Sequence, residues 1–243
     1  MLKNKILDLL ENVDSNVEDR LNHFLECINS EDANVDKVIE WLQNIKDNLP
    51  ATVTEINLNN VNDGWGLNNE TGTLEHKTGG FFKVIGVRTE TNIRESGKGW
   101  NQPMVDQGTE ASVVGLVRQL DIDGTPLYLV EAKFEPGNYD RVLLSPTLQV
   151  TYDNLNKLHS GRKPLFAEYF DGEDRKGVTK FEHWYPEDGG RFYKKRVKNM
   201  LVEAGDISDV PDNFIWLNMY TLKELLKRDN LVNPHLRSII SYL

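Results

Sequence analysis

The stretch from Pro126 to Tyr152 constrains the fold most, because its residue pattern specifies a strand and the turn that ends it. Polar and apolar residues alternate up to Phe134, which is typical of a half-buried β-strand. In such a strand Glu131, Lys133 and Glu135 share one face. The Pro-Gly pair that follows ends the strand, because proline cannot donate to a ladder and glycine permits the turn. The stretch therefore predicts a strand that holds two carboxylates and an ammonium on one wall.

A helix is predicted after this turn. Ser145 suits an N-cap and Pro146 suits the first helical position, and the helix would carry Leu148 and Leu155 among its apolar residues. Strand, turn and helix in this order are similar to the Nudix hydrolases, whose helix binds a metal ion through several glutamates. The predicted helix offers only Asp153, whereas Mg²⁺ needs several carboxylate oxygens. A Nudix-like frame without a metal site is therefore expected.

The composition points away from membranes and from disulfide-rich secreted proteins. No apolar run approaches the ~20 residues of a membrane span, and the N-terminus lacks a signal-peptide pattern. The single cysteine, Cys27, leaves no internal disulfide and fits a reducing cytoplasm. Cys27 itself is interpreted as a small buried apolar residue rather than a nucleophile. We therefore expect a cytoplasmic protein with no membrane partner.

The charge distribution indicates what kind of ligand the chain binds. The formal net charge is -10, which argues against general binding of nucleic acid. The window 191–198 is the exception, since it contains five basic residues and no acidic one. A basic segment in so acidic a chain suggests a small anionic ligand.

The domain organisation follows from helical periodicity near the N-terminus. Val17–Ile28 and Val38–Ile45 each carry an apolar stripe at helical spacing. Residues 1–49 are therefore predicted to be a helical appendage, which covers either the rest of the chain or a partner subunit. Residues 50–243 are predicted to be the functional domain, since a chain of 243 residues suits one sizeable domain with a small appendage.

The pattern becomes β-like from Trp65 onward. Two apolar runs, Val113–Arg118 and Leu127–Phe134, are joined by Asp121–Gly124, which is a good hairpin signal. Near the C-terminus, Asn233-Pro234 predicts the cap of a last short helix. Strands mixed with flanking helices indicate the α+β class.

Nine short motifs occur in order along the chain. They are His76–Phe82, Gln102-Pro103, Ala132–Asn138, Leu144–Gln149, Glu168–Phe170, Arg191-Phe192, Lys195-Arg196, Asn199-Met200 and Trp216. Together they resemble the nucleoside-diphosphate-hexose 2,3-dehydratases, from about Ile39 to the C-terminus. The resemblance implies a Nudix-like α+β fold with a mixed sheet flanked by helices. It also implies an enzyme that acts on dTDP-4-keto-6-deoxyglucose without a metal ion. The chain departs from the family pattern in two ways. It holds a single copy of a unit that family members carry twice, and it has Pro186–Gly189 where the family has Ser-Glu-Gln-Gly.

The implied reaction assigns roles to the polar strand. A 2,3-dehydration beside a C4 ketone needs a base for the C3 proton, donors for the C4 enolate and an acid for the C2 hydroxyl, and it needs no redox cofactor. Glu131 or Glu135 is expected to be the base, and Lys133 to hold the enolate oxygen or the diphosphate. His76 and Tyr169 are candidate acids. The alternative interpretation is an ion-pair ladder along an exposed strand.

The substrate's nucleotide is expected to meet the basic window and an aromatic ring. Arg191, Lys195 and Arg196 would bind the diphosphate, although a solvated helical face is the alternative. Trp100 or Phe82 would stack on the base. Further substrate-binding residues expected from the motifs are Lys77, Thr78, Gln102, Gln149 and Asn199.

Two functions from different classes remain open. The leading hypothesis is a nucleotide-sugar 2,3-dehydratase of deoxysugar biosynthesis. The alternative is a non-catalytic nucleotide-sugar-binding module or partner subunit, which the single copy favours. In either case a symmetric homodimer is expected, because two-fold pairing would cover the surface where a second copy packs in two-copy relatives.

Overall fold

A computed structural model describes residues 17, 21, 25, 34–92, 99–155 and 163–243. The helix predicted over Val17–Ile28 falls almost wholly outside these residues and stays a prediction. Within the described part of the chain, no helix combines the length and the apolarity needed to cross a membrane.

The described chain contains eleven strands and four α-helices. The strands are β1 Trp65–Asn68, β2 Thr73–His76, β3 Lys83–Thr89, β4 Trp100–Asp106, β5 Glu110–Leu120, β6 Pro126–Phe134, β7 Val142–Pro146, β8 Leu148–Thr151, β9 Val178–Pro186, β10 Arg196–Glu203 and β11 Phe214–Asn218. The helices are α1 Val35–Asn48, α2 Tyr152–Leu155, α3 Met219–Leu225 and α4 Pro234–Ile240, with short 3₁₀ turns at Leu58–Asn60 and Ala167–Tyr169.

The strands form two sheets. The smaller sheet has four antiparallel strands in the order β1-β2-β3-β4. The larger is mixed, in the order β11-β6-β5-β10-β9, with β7 paired to β6 and β8 paired to β5. Only β5 and β10 run parallel among these pairs. The α+β class and the 113–134 hairpin predicted from the sequence are confirmed.

The larger sheet divides in the middle, where β5 and β6 part. The two strands pair from Leu120 and Pro126 only as far as Val117 and Leu129. Beyond that point β8 pairs with β5, and β7 pairs with β6. We call this division the fork. The hydroxyl of Thr147 lies at its apex, where it accepts the Val117 N–H at 2.8 Å and donates to the Leu129 carbonyl at 2.6 Å.

The helix predicted to begin at Ser145-Pro146 is wrong, because these residues lie in β7 and the chain continues directly into β8. The split sheet offers backbone partners on both sides, and a strand satisfies them whereas a helix would not. Leu144 packs into one core layer and Leu148 into the other, although both are even-numbered. The chain therefore rotates at Pro146-Thr147, and only α2 keeps the expected helical form.

Apolar layers cover both faces of the larger sheet. One layer contains α1, α3 and α4, and α1 contributes Val35, Val38 and Leu42 to it. The other layer contains Phe166 and Phe170. The helix predicted over Val38–Ile45 is confirmed and packs on the sheet, while the domain boundary at residue 49 stays a prediction.

We expect Thr147→Val to destabilise the fold. Valine keeps the volume but leaves the Val117 N–H and the Leu129 carbonyl without their partner, at about 1–3 kcal/mol for each buried group. Urea unfolding monitored by circular dichroism measures the change. The exposed Thr54→Val is the matched control, with a change within about 0.5 kcal/mol. Equal stabilities for the two variants would contradict a bridging role for the Thr147 hydroxyl.

Candidate active site

A polar cavity of about 210 Å³ lies beside the N-terminal half of β5. Its walls come from the loop between β4 and β5, from β5, β8 and α2, from the segment before β10 and from the first turn of α4. The lining residues are Gln107, Ser112, Val114, Gln149, Val150, Thr151, Asn154, Lys195 and His235. Segments distant in the sequence therefore build one cavity, because the fork brings β8 next to β5.

The polar wall predicted on β6 is present. Lys133 Nζ lies 3.8 Å from Glu131 Oε2 and donates to the Gln149 carbonyl at 3.2 Å. Burial raises the pKa of Glu131, and the charge of Glu135 adds to this, whereas Lys133 opposes it. Asn213 Nδ2 donates to Glu131 at 3.4 Å. The ammonium of Lys133 thus links the carboxylate of Glu131 to the strand that lines the cavity.

A chain of side-chain amides connects β6 to α4. Gln149 Nε2 donates to Glu135 Oε1 at 2.8 Å. Asn233 Nδ2 donates to both Gln149 Oε1 and Ser145 Oγ at 2.9 Å, and its oxygen accepts the Leu236 N–H at 2.8 Å. The cap predicted at Asn233 is confirmed, and the same residue also fixes the orientation of Gln149. The chain ties Glu135 to Gln149, which lines the cavity.

Lys195 and His235 also line the cavity. Lys195 Nζ is 3.3 Å from Glu187 Oε2, and the two side chains are 8% and 18% exposed. Burial lowers the pKa of His235, and the nearby Lys195 adds to this, whereas Glu187 and Glu135 oppose it. The imidazole is therefore neutral at neutral pH.

Sequence reasoning missed Ser112, Glu187 and His235. His235 follows the Asn-Pro cap directly, and a titratable side chain in the first turn of a capped helix was the available signal. The helical period directed attention to the apolar residues of α4 instead. No local pattern indicated Ser112, because it joins the cavity only through the fold. Glu187 lies in the Pro186–Gly189 motif, but its pairing with the cavity residue Lys195 forms only in the folded chain.

The basic window is largely neutralised by carboxylates. Arg191 pairs with Asp188 at 3.3 Å and Arg196 pairs with Glu110. Lys198 pairs with Glu182 at 2.7 Å. The alternative of a solvated helical face is wrong here, because β10 begins at Arg196. Arg191 is nevertheless 81% exposed, and the Arg196 side chain is about half exposed.

Six predicted residues lie on or beside the smaller sheet, which places them apart from the β6 wall. They are His76, Lys77, Thr78, Phe82, Trp100 and Gln102. His76 Nδ1 lies 2.8 Å from Thr78 Oγ1, and its Nε2 lies 3.0 Å from the Asp63 carbonyl. Both ring nitrogens thus have local partners, and its role as an acid stays a prediction.

The smaller sheet is joined to the cavity through the basic window. Gln102 Nε2 donates to the Gly190 carbonyl at 3.1 Å, and Gln102 Oε1 accepts from Trp100 Nε1 at 2.8 Å. The Val105 N–H donates to the Arg191 carbonyl at 2.8 Å. Trp100, which is 45% exposed, therefore lies at the start of a path that leads through Arg191 to Lys195.

Two further residues predicted for the site, Tyr169 and Asn199, make contacts that support the fold. Tyr169 packs against the core layer of Phe166 and Phe170, with the Lys176 ammonium 5.9 Å from its ring centre. Asn199 is buried on β10 and donates to Ser238 Oγ at 2.6 Å, which holds α4 against the sheet. Tyr169 is absent from the residues lining the cavity, and its role stays a prediction.

The described residues contain no group of three or more His, Cys, Asp or Glu side chains that could hold a metal ion. The polar groups of the cavity are mainly amides, hydroxyls, one imidazole and one ammonium. Such a set suits hydrogen bonding and proton transfer rather than the binding of hard cations.

Comparison with known proteins gives one family and several relatives. The model of the family described as NDP-hexose 2,3-dehydratase matches residues 35–243. A dTDP-4-dehydro-6-deoxy-alpha-D-glucopyranose 2,3-dehydratase of Saccharopolyspora spinosa is 37% identical over 177 residues, covering 73% of this chain and 36% of that protein. The enzyme of the same name from Amycolatopsis orientalis is 36% identical over 187 residues, covering 74% and 39%. The chain thus spans well under half the length of these relatives.

Similar solved structures include hydrolases. An ADP compounds hydrolase has 10% identity and a TM-score of 0.38, over 66% of this chain and 83% of that one. A Nudix hydrolase from M. Smegmatis has 13% identity and a TM-score of 0.34, over 60% and 92%. The Nudix hydrolase is thus among the structural neighbours of the chain. The chemistry of the cavity is argued from the chain's own residues.

We expect Glu131→Gln to stabilise the fold at neutral pH. Burial raises the pKa of Glu131, so the folded state favours the protonated carboxyl. At neutral pH the carboxyl is charged when the chain is unfolded, and this preference therefore lowers the free energy of unfolding. The neutral amide removes this cost. The gain should disappear below the ordinary pKa of glutamate, where the carboxyl is protonated in both states. Urea unfolding at neutral and acidic pH tests this, with the exposed Glu70→Gln as control. A less stable Glu131→Gln at neutral pH would contradict the argument.

Proposed function

The chain belongs to the NDP-hexose 2,3-dehydratase family, and on this premise we propose that it removes water across C2 and C3 of a nucleotide-linked 4-keto-6-deoxyhexose. The names of the relatives support dTDP-4-keto-6-deoxyglucose as the substrate. The observation that carries the proposal is the cavity in which Lys195 and His235 face Gln149, the amide that binds Glu135. A deoxysugar pathway would use the product.

The reaction is an elimination next to a ketone. The C4 carbonyl makes the C3 proton acidic, and its removal gives an enolate whose charge lies on the C4 oxygen. Re-formation of the carbonyl creates a C2=C3 double bond while the C2 hydroxyl leaves as water. The enol that remains at C3 then becomes a ketone. The carbons undergo no net exchange of electrons with another molecule, so we propose that no redox cofactor takes part.

We propose that Lys133 stabilises the enolate. Its ammonium is held between the Glu131 carboxylate and the Gln149 carbonyl, which places a positive charge beside the cavity without filling it. A fixed charge of this kind favours an anion that develops during the reaction. Glu135 is the nearer of the two carboxylates to the cavity, since Gln149 binds it and also lines the wall.

We propose that the nucleotide lies along the path from the smaller sheet. The exposed ring of Trp100 would stack on the base, with Phe82 as the second candidate. Arg191 and Arg196 would then exchange their exposed carboxylate partners for the diphosphate. Lys195, which is buried with Glu187, would face the sugar. The proposed substrate and the single cysteine both fit the cytoplasm.

The function is tested by incubating the chain with dTDP-4-keto-6-deoxyglucose and following loss of water by mass spectrometry. We expect turnover that persists after treatment with EDTA, because the described residues provide no metal cluster. Loss of activity on chelation, restored by Mg²⁺, would reject a metal-free reaction. Binding without turnover would favour the alternative, a nucleotide-sugar-binding module or partner subunit.

Two variants control this assay. Lys133→Ala removes the charge proposed to stabilise the enolate, and Glu135→Gln removes the carboxylate that Gln149 holds. Lys133→Ala should lower turnover by at least about 10²-fold, which is the usual cost of losing one preorganised group that stabilises an oxyanion. Glu135→Gln should also lower turnover, because Gln149 loses the charged acceptor that orients it. Unchanged circular dichroism shows that the fold persists. Near-normal rates would favour the ion-pair ladder over a catalytic role.

We also propose a symmetric homodimer. The smaller sheet exposes Leu67, and the segment before β3 exposes Phe81, which gives an apolar surface that a second copy would cover. Light scattering at micromolar concentration should give twice the mass of one chain. The double variant Phe81→Ser with Leu67→Ser should shift the mass to that of a monomer. A wild-type monomer with full activity would reject the dimer.

A further inference from the structure

His235 occupies a rigid position at the wall of the cavity. It is the second residue of α4, directly after the capping Asn233 and Pro234. Asn233 is fixed by hydrogen bonds to Ser145, Gln149 and the Leu236 N–H. The first turn of α4 is therefore tied to both β7 and β8, and the imidazole is held beside the other lining residues.

Charged groups from two elements surround this imidazole. Lys133 and Glu135 approach from β6 and the turn after it, and Glu187 and Lys195 approach from the segment before β10. Two cations and two carboxylates keep the surroundings close to neutral. Burial favours the uncharged imidazole before reaction, and the two carboxylates favour the imidazolium once a proton has arrived.

We propose that His235 is the general base that removes the C3 proton. This rests on the proposed function and replaces the sequence-based choice between Glu131 and Glu135. The C3–H bond breaks, its electron pair forms the C3=C4 bond of the enolate, and the proton passes to His235. When the C2–O bond breaks, the same proton moves from the imidazolium to the departing hydroxyl, so water leaves and His235 is neutral again.

The two glutamates are less suited to this step. Glu131 lies beside Lys133 and Asn213 and is absent from the residues lining the cavity. Glu135 already accepts the amide of Gln149, which occupies one of its oxygens. A neutral imidazole in the wall has an unprotonated nitrogen available at the working pH, which is what a general base needs.

The test compares His235→Gln with His183→Gln in the full chain. Glutamine keeps hydrogen-bonding capacity but does not accept a proton at neutral pH. His183 is exposed on β9, with its ring stacked on Phe181 at 5.9 Å, and is a matched control. We measure exchange of the C3 proton with D₂O, elimination of water, and binding of the substrate. His235→Gln should lose exchange and elimination together by about 10²–10⁴-fold, with binding within a few-fold of wild type and unchanged circular dichroism.

The pH dependence gives a second readout. In wild type, kcat/KM should fall toward acidic pH as His235 becomes protonated, with the midpoint below the ordinary pKa of histidine. The residual rate of His235→Gln should lack this limb, whereas His183→Gln should keep it. A role limited to supporting the fold would lower the rate without removing the limb.

The outcomes separate the base from the proposed function. Exchange that survives in His235→Gln would overturn the assignment, even if elimination is lost, because the base would then be another group. Full activity in His235→Gln would also overturn it. A wild-type chain that binds the nucleotide sugar but neither exchanges nor eliminates would reject the proposed function, and the role of His235 with it.

Discussion

The hydroxyl of Thr147 lies where β5 and β6 part, and most of the site depends on the two hydrogen bonds that it makes there. One oxygen accepts a backbone N–H from Val117 and donates to the backbone carbonyl of Leu129. The two strands can therefore separate without leaving those groups unpaired. Separation allows β7 and β8 to enter between them, and the entry of β8 places Gln149 between Glu135 and the cavity.

Asn233 links α4 to the two strands that enter the fork. One side chain caps α4 and contacts Ser145 on β7 and Gln149 on β8. The helix that presents His235 is therefore fixed against both strands that the fork admits. A buried polar network with every member bonded is rigid. This rigidity explains how a cavity made mostly of polar side chains can hold its shape.

Local sequence patterns predicted the elements that are specified by residues close together in the chain. The alternation before Phe134 gave β6 and its polar wall, Asp121–Gly124 gave the hairpin, and Asn233-Pro234 gave the last cap. The helix predicted from Ser145-Pro146 was wrong because the local sequence shows only a good helix start. It does not show that β5 and β6 separate there and offer backbone hydrogen-bond partners to an extended chain. The position of His235 was equally hidden, since its neighbours come from residues more than 35 positions away.

The basic window shows why a charge count along the sequence is incomplete. Five cations occur within eight residues, yet Arg191, Lys195 and Arg196 each meet a carboxylate in the folded chain. The exposed pairs are worth only about 0–1 kcal/mol, so an anion could displace their carboxylates at little cost. The pair of Lys195 and Glu187 is different, because both side chains are largely shielded from solvent and removing one partner would leave an uncompensated charge. The fold thus divides one basic segment into exchangeable arginines at the surface and a fixed lysine beside His235.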